Sequence, residues 1–319
     1  MILDDLAFVF PGQGSQKVGM LAAAADAYPS VVQTFDEAAD ALGYDLWKLI
    51  QEGEQEQLNM TETTQPALLS SSVALWRSWR AAGGAIPSVM AGHSLGEFSA
   101  LVCAGAINFA DAVRLVRARG AAMQEAVPAG EGAMAAIIGL DDDLIDKTCQ
   151  QAAADSGDVV AAVNYNSPGQ VVIAGKAGAV DAAIELLKAA GAKRAMPLPV
   201  SAPFHTALMR PAGERLEEVL SGITVSSPEI PVIHNVHAEA EADPARIREL
   251  LVEQIYSPVR WTGCVQAMVG RGTTRLVECG PGKVLSGLNR RIDKSLSSFN
   301  IEDPAELNDS LATLNGETA

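Results

Sequence analysis

The pentapeptide Gly92-His93-Ser94-Leu95-Gly96 has the G-x-S-x-G spacing of a nucleophile elbow. Residues 87–91 read as a strand and 98–103 as a helix, the setting that lifts a serine Oγ clear of the backbone. Gly92 and Gly96 leave room where side chains would collide with the turn. The N–H of Leu95 then stands at a helix N-terminus, without an intrahelical acceptor, and can face a developing oxyanion. The same residues also suit a plain Gly-Ser helix cap, so the chemistry needs a base.

Four histidines are available. His93 lies inside the elbow, turned away from Ser94. His234 and His237 fall at a strand end in a polar stretch, where either suits the surface. His205 sits between Pro203 and a helix, at a junction of the kind that gathers catalytic groups. It is the first choice, His234 the second, and a structural cap remains open for His205. An ordinary imidazole makes the acylation rate rise with pH through about 6.5 and then level. No acid between positions 94 and 205 is obviously placed to orient the histidine. A backbone carbonyl on Nδ1–H can do so instead, unlike in an ordinary esterase.

Two further features bear on this chemistry. The loop Pro11-Gly12-Gln13-Gly14-Ser15-Gln16 follows an apolar strand at 6–10. It lacks the third glycine of a dinucleotide fingerprint and the Gly-Lys-Ser/Thr of a P-loop, so Gln13 reads as a second oxyanion donor. The helical pattern 108–126 carries Arg114, Arg117 and Arg119. The first two suit a solvated face. Arg119, followed by Gly120-Ala121-Ala122-Met123, fits either that face or a pocket wall.

The elements that must position these residues form an α/β chain. Residues 1–128 open a large subdomain around a parallel sheet. A helix starts at Thr64-Gln65-Pro66, with proline near its first turn. Residues 129–204 have their own β-α-β-β-α-β rhythm, an inserted ferredoxin-like small subdomain. Residues 205–319 complete the large subdomain. A helix follows His205 over 206–220, and an acidic, loose tail starts at about 295.

At 319 residues and 48% hydrophobic, the chain can bury a sizeable core. The net charge of −16 argues against nucleic acid and requires a local positive site for any anionic substrate. The four scattered cysteines read as reduced thiols of a cytoplasmic protein. No apolar run is long enough for a membrane span, and the N-terminus lacks a signal-peptide pattern.

Seven stretches resemble the bacterial malonyl-CoA:acyl-carrier-protein transacylases: FVFPGQGSQKVGM, TETTQPALL, AGHSLGEFSAL, RARGAAMQEAVP, VNYNSPGQVVIAG, SAPFHTALM and VECGPGKVLSGL. They run in family order from Phe8 to Leu288. The resemblance implies a hydrolase-like large subdomain with a ferredoxin-like insert. It implies Ser94 as the acyl-carrying nucleophile and His205 as its base. It also implies an oxyanion hole from Gln13 and Leu95, and the Gln254 carbonyl orienting His205. It further implies that Arg119 takes the malonyl carboxylate, with Met123, Asn166, Gln170 and Phe204 around the substrate. The implied reaction is ping-pong, with malonyl-CoA and a transiently bound acyl carrier protein as partners, and no metal or cofactor. A monomer is expected. Service to a polyketide carrier, or a thioesterase or esterase on the same scaffold, are the alternatives. Lys283, Arg290, Arg291 and Lys294 form the expected carrier dock, with Arg290 and Lys294 on one helical face; Lys188, Lys193 and Arg194 are the second choice.

Overall fold

The structure, a computed structural model, describes residues 1–200 and 202–316; Ser201 and residues 317–319 lie outside the described residues. The strands are β1 (Ile2–Phe10), β2 (Ile86–Gly92), β3 (Gly132–Ile138), β4 (Val160–Ser167), β5 (Gln170–Lys176), β6 (Arg194–Pro197), β7 (Val232–Ile233), β8 (Ala240–Glu241), β9 (Arg275–Glu278) and β10 (Ser297–Asn300).

Side chains along β1 alternate between two faces, and both are apolar. Leu6, Phe8 and Phe10 enter one core; Ala7 and Val9 enter another. A strand of that kind belongs inside a parallel sheet with helices on both sides. The observed order is β10-β9-β1-β2-β7-β8, parallel throughout except for the antiparallel β7–β8 pair. On the first face, the Phe8 ring meets Trp76 and Trp79 of the Thr61–Ala81 helix edge-on, at 5.2 and 5.5 Å. On the second, Trp261, Val265 and Leu285 come from the helices Trp261–Gly270 and Val284–Ile292. Each fully buried side chain of this size contributes about 1.5–3 kcal/mol. The register pairs Phe10 with Gly92, so the loop after β1 and the elbow after β2 emerge together. They emerge at the carboxyl ends of the strands, where open α/β sheets hold their ligands.

The second sheet, in the order β4-β5-β3-β6, is antiparallel throughout. The helices Asp142–Ser156 and Ala177–Ala189 cover one face, burying Ile137, Ile145, Val171, Ile173 and Leu187. The alternate residues Met134, Val172 and Ala174 turn the other way and join the large core. This is the β-α-β-β-α-β unit expected from the sequence. It is tied to the large part by Tyr165 N–H to Val259 O at 3.0 Å and Val259 N–H to Val163 O at 2.8 Å.

Three expectations are corrected. The segment after 295 is not a loose tail. There, β10 pairs parallel with β9, and the helix Pro304–Gly316 buries Leu307 and Leu314. Its acidic residues are spaced around a buried apolar stripe, which overall polarity conceals. Pro66 lies within the Thr61–Ala81 helix rather than at its start, and Thr64 Oγ1 donates back to Leu58 O. After His205, a 3-10 turn at Ala207–Met209 precedes the helix Arg210–Ser221.

Candidate active site

Ser94 sits between β2 and the helix Leu95–Cys103, at φ 51°, ψ −106°. Its neighbours permit nothing larger than hydrogen. A Cβ on Gly92 would lie 1.8 Å from the Gly96 carbonyl carbon, and one on Gly96 would lie 2.0 Å from Phe10 O. Asn235 staples the turn: its Oδ1 accepts from Ser94 N–H at 2.7 Å and its Nδ2 donates to Gly92 O at 2.7 Å. The backbone N–H of Ser94 is thereby engaged, and the next one, Leu95 N–H, opens the helix without an intrahelical acceptor.

Ser94 Oγ is 2.9 Å from His205 Nε2. His205 Nδ1–H donates to the Gln254 carbonyl at 2.8 Å, which fixes the tautomer and leaves the Nε2 lone pair facing the serine. His205 is buried and also has positive φ, 63°. Burial, then the positive charge of Arg119, lower its pKa to about 3, so it is neutral at physiological pH.

Arg119 is 1% exposed, which rules out the solvated face. Its Nη2 donates to Ser94 Oγ at 3.1 Å and to Gln254 Oε1 at 2.8 Å, and its Nη1 donates to Gln65 Oε1 at 2.9 Å. The guanidinium lies over the Phe98 ring at 5.2 Å. Burial lowers its pKa to about 10, against the opposing pull of Glu97, and the cation persists at neutral pH. Among the described residues its Nε has no hydrogen-bond partner. Arg114, beside Asp111, and Arg117, whose guanidinium lies over the Tyr44 ring, are both exposed, as expected.

A cavity of about 130 Å³ opens onto these groups. Gln13, Leu95, Met123 and Phe204 line it, as do Met134, Asn164, Leu198 and Val200 from the small-sheet side. Asn166 stands behind the wall, its Oδ1 accepting from His93 Nε2–H at 2.8 Å. Gln170 is not at the cavity. It begins β5 opposite Ile138, and its Oε1 accepts from Arg291. Its expected substrate contact is therefore withdrawn.

His234 is not on the surface. It is fully buried, and its Nδ1 donates to Glu97 Oε1 at 2.7 Å, far from the role of base. The expected docking face is also altered. The helix ends at Ile292, so Lys294 shares no helical face with Arg290, and Lys283 pairs with Glu306. Sequence reasoning overlooked Glu97, Asn235, Gln65 and the side chain of Gln254. Glu97 alone carried a signal, as the one charged residue of an elbow helix that is apolar but for Ser99. No cluster of histidine, cysteine or acidic side chains suited to a metal occurs among the described residues, and no helix there is long and apolar enough to cross a membrane.

A strand–turn–helix serine paired with a histidine is the machinery of acyl transfer, and residues 7–302 match the acyl transferase domain family. The chain is 58% identical to the malonyl CoA-acyl carrier protein transacylase of Salmonella typhimurium, over 97% of this chain and 99% of the relative. It is 46% identical to that of Bacillus subtilis, over 99% of each. An acyl carrier protein S-malonyltransferase from Vibrio cholerae superposes with a TM-score of 0.94, at 57% identity over 96% of this chain and 99% of the other. A malonyl-transacylase solved in complex with a type II PKS acyl-carrier protein gives 0.95, at 55% identity over 97% and 99%. The chain belongs to the acyl transferase family, among its malonyl CoA-acyl carrier protein transacylases.

Proposed function

We propose that this enzyme moves a malonyl group from malonyl-CoA to the phosphopantetheine thiol of an acyl carrier protein, through a malonyl ester on Ser94. The observation that carries the reading is the contact between a buried guanidinium and the serine oxygen, Arg119 Nη2 to Ser94 Oγ at 3.1 Å. A hydrolase of neutral acyl groups has no use for a cation there. A malonyl group brings a carboxylate, which the planar guanidinium suits.

Ser94 Oγ attacks the thioester carbonyl while its proton passes to His205 Nε2. The oxyanion takes donors from Leu95 N–H and Gln13 N–H. The C–S bond breaks, and coenzyme A leaves with the proton from His205. The carrier thiol then gives its proton to His205 and attacks the ester carbonyl, and Ser94 Oγ recovers that proton as the thioester forms. The substrate carboxylate offsets the charge of Arg119, one of the two main causes that weaken His205 as a base. The base therefore strengthens as the matching substrate arrives. Met123 and Phe204 border the acyl group, and Asn166 supports the wall through His93. Relatives named for transfer to an acyl carrier protein support the choice of acceptor.

Intact-protein mass spectrometry after mixing with malonyl-CoA tests the reading. A malonyl adduct on Ser94, discharged by a holo carrier protein, is expected. An unmodified protein that still transfers malonyl would overturn the covalent route.

A further inference from the structure

Glu97 is fully buried in the first turn of the elbow helix and is not part of the cavity wall. Its Oε1 accepts from His234 Nδ1–H at 2.7 Å. Its Oε2 accepts from Asn235 N–H at 2.8 Å and Gln254 Nε2 at 2.9 Å. Two of these donors belong to residues that hold the reacting groups. Asn235 staples the Ser94 turn through Ser94 N–H and Gly92 O. Gln254 lies between two charged side chains, giving Nε2 to Glu97 and offering Oε1 to Arg119 Nη2.

A carboxamide can sit either way round in a given space, and its partners decide which. The opposite orientation would set two donors against the guanidinium and an acceptor against the carboxylate. The Glu97 carboxylate, the charged and nearest of the acceptors of Nε2, ahead of Ser94 O at 3.1 Å, therefore favours the orientation in which Gln254 steadies Arg119. The main-chain carbonyl of Gln254 meanwhile holds His205.

We propose that Glu97 is a positioning residue: by fixing the amide of Gln254 it aims Arg119, so discrimination for a carboxylate-bearing acyl group depends on a side chain that never touches it. The inference rests on the transfer reading above and adds the origin of its selectivity.

The test uses the full chain, with rates of adduct formation from malonyl-CoA and acetyl-CoA read by intact-protein mass spectrometry and the folded fraction by circular dichroism. Glu97→Leu keeps the bulk and removes the acceptor. It is expected to lower the malonyl-to-acetyl rate ratio about tenfold or more, the scale of a charge-assisted hydrogen bond. Glu97→Gln retains an oxygen for Asn235 N–H and Gln254 Nε2, and is expected to restore most of the ratio. A residue that only holds the fold would lower both rates together, and an unchanged ratio in Glu97→Leu overturns the proposal. If that variant does not fold, Gln254→Met decides, since it removes the amide and keeps the carbonyl for His205. A comparable fall in the ratio supports the proposal, and an unchanged ratio overturns it. Absence of any malonyl adduct on the parent protein defeats the transfer reading together with this one; a parent adduct with unchanged variant ratios defeats this one alone.

Discussion

On the large-sheet side the cavity wall carries Arg119, backed by the buried residues Gln254, Glu97 and Asn235 in a chain of hydrogen bonds of 2.8–2.9 Å, with Asn235 and Gln254 also bonding the Ser94 backbone at 2.7 and 3.1 Å. On the small-sheet side, Met134, Leu198 and Val200 offer only apolar surface, and the one amide, Asn164, has an Oδ1 without a partner among the described residues. The first wall resists change because each group constrains the next and an unpaired buried polar atom costs about 1–3 kcal/mol. The second is held by packing, which tolerates exchange of one apolar side chain for another. On the proposed reading, reaction and recognition of charge belong to the large-sheet side, and the small-sheet side supplies most of the apolar surface around the acyl group.

The largest effect that would break this division is at the nucleophile. Ser94→Ala should abolish the malonyl adduct, with transfer falling by about 10³-fold or more while circular dichroism stays native. Normal transfer would remove the large-sheet wall from the chemistry.

The base comes next. His205→Ala should slow acylation by roughly 10²–10⁴-fold, whereas His234→Ala should act on stability first. With its pKa lowered to about 3, His205 stays neutral in the free enzyme, so log kcat/KM for acylation should show no step near 6.5. This revises the rise expected of an ordinary imidazole. The sign for stability follows from the same depression. Between about 6.5 and about 3 the unfolded chain binds a proton that the folded one does not, so folding weakens as pH falls through that window. A step in the rate at 6.5 would show that burial and Arg119 do not act on the base as described.

Arg119→Ala should reduce malonyl transfer roughly tenfold to a hundredfold and let acetyl-CoA compete better. An unchanged malonyl-to-acetyl ratio would separate charge recognition from this wall. The smallest effect lies opposite: Met134→Ala should raise the methylmalonyl-to-malonyl ratio severalfold, because one extra carbon in an apolar pocket is worth about 1–3 kcal/mol. Competition between the two thioesters, read by adduct mass, measures it. If the malonyl-to-acetyl ratio shifts instead, the two walls are not independent.

The legible parts of the site were those written in contiguous residues. The elbow, Gln13 and Leu95 follow from short motifs, and the inserted sheet from its element rhythm. The family resemblance drew His205, Arg119 and Gln254 together from positions that spacing alone could not join. Gln170 misled because it shares a stretch with Asn166, yet the hairpin carries it to Arg291. Asn235 and Gln65 carried no signal, because their partners lie 141 and 54 positions away. The Pro304–Gly316 helix was hidden because acidic residues crowd its start, at Glu302, Asp303, Glu306 and Asp309, while a narrow stripe with Leu307 and Leu314 does the packing.

Ser94 and His205 are two of the four non-glycine residues at positive φ among those described, which places backbone strain on both members of the pair. Strain of this kind costs about 1–2 kcal/mol per residue and is absent for glycine. At position 94, therefore, the most comfortable occupant of the turn is one that cannot react. Heat-based selection of random variants, without an activity screen beside it, would enrich chains in which this serine has been lost.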